Sequence, residues 1–256
     1  MVEPEAGRNS PYRRVLVTAW GAAAVCLAVF LAMLVMALHA GGTRSLEQWI
    51  SDRIPFRQAP KAVEFIERLA AIPGSRRGAL LLVLVVFVWW WVRHRDLRPG
   101  VLLAAAFTGT TSTVAILKPL IVRASPLQGS GVGHAFPSLH TADAAAVLGT
   151  LAIVVALSHR RLLVRSMVIS AALVTVVGLA VMAQGYHWFT DVVAGAAVAG
   201  VWVFGLTPAA YLMWTRPDLV HALHRDRLPE VAGSLGRLRL MGSQLRGGDS
   251  NSQPSD

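Results

Sequence analysis

"HAFPSLHTADAAAVLGTLAIVVALSHRR", residues 134–161, decides how the chain is read. It opens on two histidines, a serine and an aspartate, continues through Ala, Val, Leu and Ile, and stops at His159, Arg160 and Arg161. A helix of about 20 apolar residues crosses the ~30 Å core of a bilayer. Residues 139–158 therefore read as a transmembrane helix with ionisable groups at one end and arginines at the other. Outward from it lie five more apolar blocks, at 15–39, 79–92, 101–117, 166–184 and 189–214. The block 79–92 is short, but Arg77 and Arg93 at its ends can snorkel to the headgroups. With 54% hydrophobic and 15% charged residues over 256 positions, and a mean hydropathy of +0.53, the composition is too apolar for a soluble domain. The expected fold class is an all-α integral membrane protein with six transmembrane helices.

Charge sets the orientation. The first block is longer than the apolar region of a cleaved signal peptide, and Leu38 is a poor small-residue cleavage position, so it reads as a retained span. Segments 1–14, 93–100, 159–165 and 215–256 then share one side and carry most of the 24 Lys and Arg residues. "RHRDLR" and "HRRLLVR" are the short loops that matter most for the positive-inside rule, and both lie on that side, which gives N-in and C-in. The net charge of +10 is thus topological, with anionic lipid headgroups rather than nucleic acid as its partner. The organisation expected is a cytoplasmic N-terminus (1–14), a first helix with an outer amphipathic segment (15–78), a helical core (79–214) and a basic cytoplasmic tail (215–256). In the outer segment, "KAVEFIERLAAI" has helical spacing, fitting either a surface helix or a small cap. The tail ends in "GGDSNSQPSD", a composition of disordered chain. Cys26, the single cysteine, lies inside the first span and has no disulfide partner. There is no internal repeat, no Gly-rich phosphate loop and no metal-ligand spacing, so neither metal nor cofactor is expected, and nothing sets an oligomeric state. Abundant Arg, Ala and Val with almost no Lys fits a GC-rich bacterial genome.

The polar residues then converge. Pro119 disfavours α conformation at Lys118, so the third span is expected to end there. Ser138 and His140 stand where the fourth span starts, and His187 and Asp191 where the fifth turns into the sixth. Under the N-in reading all three places face outward. His187 and Asp191 are four apart at a helix start, hence on one face, and a carboxylate beside an imidazole orients the ring and raises its basicity. Lys118 and Arg123 add positive charge, and a helix N-terminus at His140 favours an anion. Such a pocket suits phosphoryl transfer, one imidazole attacking and the other protonating the leaving oxygen.

In "KPLIVRASP" (118–126), "FPSLHTA" (136–142) and "AVMAQGYHWFTDVVAG" (180–195) the chain resembles the type 2 phosphatidic acid phosphatase (PAP2) family, related to the vanadium haloperoxidases. That family carries Lys, six residues, Arg-Pro; then Pro-Ser-Gly-His; then Ser-Arg, five residues, His, three residues, Asp. The likeness covers roughly residues 79–214. It implies a six-helix bundle in the cell membrane with an outward-facing, metal-free site. It also implies that Lys118 and Ser138 bind the phosphate, that His140 is the general acid, and that His187 forms a phosphohistidine oriented by Asp191.

Three positions depart from the pattern. Ser125 stands at the first-motif arginine, Leu139 at the glycine, and Ala180-Val181 at the Ser-Arg pair. Arg123 matches an extra arginine that many members carry, and reads as a further phosphate ligand. His134 is a further candidate donor, and Asp143, one turn below His140, could pair with Lys118 or Arg123 or orient His140. Thr108, Thr110, Thr111, Ser112 and Thr113 read as helix-packing residues. Two functions follow: a phosphatase of a lipid phosphate or lipid diphosphate at the outer leaflet, or a catalytically impaired relative that binds or senses anionic headgroups. A headgroup transferase is a third, and a transporter is disfavoured because no broken helices or paired halves are evident.

Overall fold

The computed structural model describes residues 11–54, 61, 76–126 and 133–215. The expected "KAVEFIERLAAI" helix and the basic tail lie outside these residues, apart from Lys61. The described chain is all-helical: α1 (Pro11–Leu38), α2 (Ala40–Asp52), α3 (Arg76–His94), α4 (Arg98–Leu120), α5 (Leu139–Ser158), a 3-10 turn (Arg160–Leu162), α6 (Leu163–Ala183) and α7 (Phe189–Thr215). All except α2 are long and apolar enough to cross a membrane, which gives six spans. The only β-type pairing among the described residues is one isolated bridge, Arg123 with His134. The chain divides into a unit over 1–211 and a second over 212–256, whose described part is the last turn of α7.

Burial ranks the helices. α5 is the most enclosed, with Ala142, Ala144, Ala146 and Val147 fully buried, whereas α3 turns almost all of its surface outward. Lipid tails are as apolar as leucine, so close packing rather than hydrophobicity joins such helices, and small residues permit it. Gly195 on α7 shows the limit: a Cβ there would lie 2.3 Å from the Ser138 carbonyl oxygen. That contact seats the start of α7 against the start of α5. Beneath it, Phe30 and Ala37 of α1 pack with Val114, Phe136, Ala142 and Ala194.

Two expectations change. α3 runs from Arg76 to His94, 19 residues rather than fourteen, because the flanking arginines extend the helix beyond its apolar run. α4 does not stop at Lys118 but continues through Pro119 to Leu120. A proline in a terminal turn interrupts little hydrogen bonding, and Lys118 is held by a partner from outside the helix. Its carbonyl meets His134 Nδ1 at 2.9 Å and its Nζ donates to the His134 carbonyl at 2.8 Å.

Candidate active site

The segment after α4 is tied to the segment before α5. Arg123 N–H donates to the Gly133 carbonyl at 2.8 Å, and Ala135 N–H donates to the Arg123 carbonyl at 2.9 Å. Because the partner of His134 Nδ1 is the Lys118 carbonyl, which can only accept, that nitrogen carries the hydrogen. His134 thus holds Lys118 in place from a loop position.

α5 begins with Ser138 as its N-cap. The Ser138 hydroxyl accepts from Thr141 N–H at 3.4 Å and from the Thr141 hydroxyl at 3.2 Å, and its own N–H donates to the Asp191 carbonyl at 2.9 Å. Ser138 is fully buried. Its side chain caps the helix, which leaves the amides of the first turn, beginning at Leu139 and His140, as the groups this end offers to an anion.

At the start of α7, Asp191 reaches back to accept from Trp188 N–H at 2.8 Å, the acidic half of a capping box. Its other oxygen takes a hydrogen bond from Arg123 Nη1. The Asp191 carboxylate lies 3.7 Å from His187 Nδ1, close enough for charge attraction but too long for a hydrogen bond, and His187 Nδ1 makes none among the described residues. The rings of His187 and His140 stand 6.1 Å apart, edge toward face, with His187 buried and His140 exposed. Each therefore comes from a different helix end, and the two helix N-termini meet at the same place.

Arg123 is the centre of a buried charge cluster. Its guanidinium donates to Asp191, to the Thr190 hydroxyl at 2.6 Å and to Glu47, and the Thr190 hydroxyl in turn donates to Glu47. Glu47 comes from α2 and is only 2% exposed. Trp188 closes the side, its indole N–H on the Ala124 carbonyl at 3.0 Å. A guanidinium between two carboxylates is compensated in a way that an isolated buried charge is not. The same arrangement occupies the donors of the guanidinium.

The residues singled out in the sequence thus fall into one connected region at one end of the bundle: Lys118 with His134, Arg123 with Asp191, Ser138 with Asp191, and His140 with His187. Asp143 sits one turn deeper, where it accepts from the Thr111 hydroxyl of α4 at 2.8 Å. Ser125 is buried beside Trp188's partner Ala124. Ala180 and Val181 are buried apolar positions of α6, with no charge to offer. Glu47, Thr190 and Thr111 were not among the expected site residues. Thr190 lies within "HWFTD" and could have been suspected from position. Glu47 could not, since only the fold brings residue 47 to residue 123. Among the described residues no three His, Cys, Asp or Glu side chains converge as metal ligands do.

The family model of the PAP2 superfamily matches residues 79–216. The fold is similar to that in the crystal structure of the first transmembrane PAP2 type phosphatidylglycerolphosphate phosphatase from Bacillus subtilis, with a TM-score of 0.61 and 22% identity over 72% of this chain and 94% of that chain. At that identity the likeness concerns the fold. No curated protein matches the chain at a significant level.

Proposed function

The chain belongs to the PAP2 superfamily, and on that premise we propose that it is a phosphatase of a membrane lipid phosphate or lipid diphosphate, working through a phosphohistidine on His187. The observation that carries this reading is the pair of imidazoles 6.1 Å apart at the junction of two helix N-termini, with a carboxylate beside one of them. Asp191 stands on the Nδ1 side of His187, which leaves Nε2 as the nucleophile. In the first step Nε2 attacks phosphorus in line, the bond from phosphorus to the lipid oxygen breaks, and His140 gives that oxygen its proton. In the second step His140, now neutral, takes a proton from water, the hydroxide oxygen bonds to phosphorus, and the P–N bond breaks to release phosphate. Lys118 and the first amides of α5 stabilise the charge on the equatorial oxygens. Under the N-in orientation the reaction occurs at the outer leaflet of the cell membrane.

The test is phosphate release by purified protein in detergent, from a panel that includes phosphatidic acid, phosphatidylglycerol phosphate and a polyprenyl diphosphate. Release that persists in EDTA and disappears in His187→Ala is expected. Release that EDTA abolishes contradicts the metal-free route.

One observation favours a second reading, a headgroup-binding member without turnover. Arg123 is occupied by Glu47 and Asp191, and the Ser-Arg position is filled by buried Ala180 and Val181. Charge-assisted hydrogen bonds of about 1.5–3 kcal/mol each are then missing from the phosphate's surroundings. Headgroup-dependent binding with no release from any member of the panel selects this reading.

A further inference from the structure

At the end of the bundle opposite the histidines, α1, α5, α6 and α7 leave a groove of about 830 Å³ open to the membrane. Its lining is almost wholly apolar, with the small residues Ala19, Ala22 and Ala156 and the longer Met167 among it, and Arg160 and Tyr211 come from the helix ends nearest the headgroups. The size falls within the range of about 300–1,000 Å³ usual for small-molecule sites. The groove runs along the seam between α1 and the helices covered by the family match, and α1 turns most of its surface outward.

Charge selects the occupant. Arg160 lines the groove and is exposed, and Arg13, Arg14, Arg161 and Arg165 belong to the same helix ends. Among the described residues at this end of the bundle the only acidic side chain is Asp96, which is paired with Arg98 at 2.8 Å. At the histidine end, by contrast, Glu47 and Asp191 stand among the cations. A ligand at the arginine end thus combines an apolar chain within the bilayer with a negative charge at headgroup depth. Tyr12 and Tyr211, stacked with ring centroids 6.2 Å apart, mark that depth as the interface where aromatic rings settle.

We propose that this groove binds an anionic glycerophospholipid of the leaflet opposite the histidine site, one acyl chain lying against Ala19, Ala22 and Ala156 and the phosphate on Arg160. The lipid fills the seam and fastens α1 to α5 and α6. Held at the opposite end of the bundle from His187, it is bound without being hydrolysed.

The test uses the full chain, stripped of lipid in detergent and titrated with phosphatidylglycerol or phosphatidylcholine. Bound lipid is counted by native mass spectrometry, and thermal unfolding is followed in parallel. Phosphatidylglycerol has no terminal phosphate, and His187→Ala serves as a control that must bind it as the wild type does, so a protein without phosphatase activity still gives a clear answer. The expected result is one retained phosphatidylglycerol per chain with a raised unfolding midpoint. Arg160→Gln lowers the preference over phosphatidylcholine about fivefold, the factor one arginine near an anionic surface supplies. Val168→Trp, at an exposed position on the groove's lip, lowers the binding of both lipids while the protein stays folded. Equal binding of the two lipids by wild type overturns the proposal. So does protection by glycerol phosphate equal to that by phosphatidylglycerol, which marks a free-anion site without a chain. Cross-linking of position 168 to a second copy, with no lipid retained, assigns the groove to a helix of another chain and overturns it as well.

Discussion

Asp191 and Asp143 are both fully buried carboxylates near the start of a helix, and each follows a histidine by about one turn. Their surroundings differ. Asp191 occupies the first turn of α7, where it can accept from Trp188 N–H, meet the Arg123 guanidinium and face His187. Asp143 lies deeper in α5 and takes a hydrogen bond from Thr111, a neutral hydroxyl of the neighbouring helix. The spacing of histidine and aspartate is thus a poor guide to what the carboxylate meets. What decides it is the set of donors that the rest of the fold brings to the carboxylate, and whether the group sits in the end turn where amides and loops converge.

Breaking the Asp191 side has the largest expected effect. Asp191→Asn keeps an acceptor for Trp188 N–H but removes the charge that faces His187 and balances Arg123, and kcat on a lipid phosphate is expected to fall by about 10³–10⁴. KM should change much less, since the role proposed for His187 is exerted in the transition state. The matching Asp143→Asn keeps an acceptor for the Thr111 hydroxyl and should leave kcat/KM within about tenfold. A loss of 10² or more in that variant, with normal folding, assigns Asp143 to orienting His140 and removes the contrast.

Next in size is the charge cluster itself. Glu47→Ala leaves Arg123 with one carboxylate in a buried setting, and breaking such a pair costs about 3–5 kcal/mol, measurable by chemical unfolding in detergent. Glu47→Gln keeps a neutral acceptor and should cost less. If both variants are as stable as the wild type, α2 is not fastened to the site through Glu47.

Smaller again is Gly195→Ala. The added methyl meets the Ser138 carbonyl oxygen, a backbone atom that cannot swing aside, so α7 must move off α5 at a cost of about 1–3 kcal/mol. Activity should fall with stability here, because the same contact seats the start of α7, next to His187, against the start of α5, which carries His140. Thr111→Val removes one donor to Asp143 and is expected to cost about 1.5–3 kcal/mol with little change in kcat.

The same contrast explains what could be read from the residues alone. Six apolar blocks bounded by arginines and polar helix starts sufficed for six spans, because membrane helices must satisfy their own backbone and so announce their length. The placement of Lys118, Ser138, His140, His187 and Asp191 at helix ends is legible in the sequence, because there sequence neighbours are also neighbours in space. Arg123 is expected from the sequence as a phosphate ligand, and its carboxylate surroundings are not legible there. Its partner Glu47 lies 76 residues away on a helix that directly follows the first span, and no local pattern links them. Asp143 was noticed for its charge, whereas its donor Thr111 passed as one of a run of packing hydroxyls. Pro119 misled for a related reason: its local preference was read correctly, but His134, sixteen residues on, holds Lys118 in the helix.

If His187 carries the phosphoryl group as proposed, the covalent intermediate can be trapped. A lipid phosphate radiolabelled in its terminal phosphate is mixed with excess enzyme, quenched in alkali and mapped to peptides. An alkali-stable, acid-labile label is expected on the peptide containing His187, absent from His187→Ala and present in Asp191→Asn at a slower rate of appearance. Phosphate release at the wild-type rate by His187→Ala, or a label that persists on that variant, contradicts the proposal.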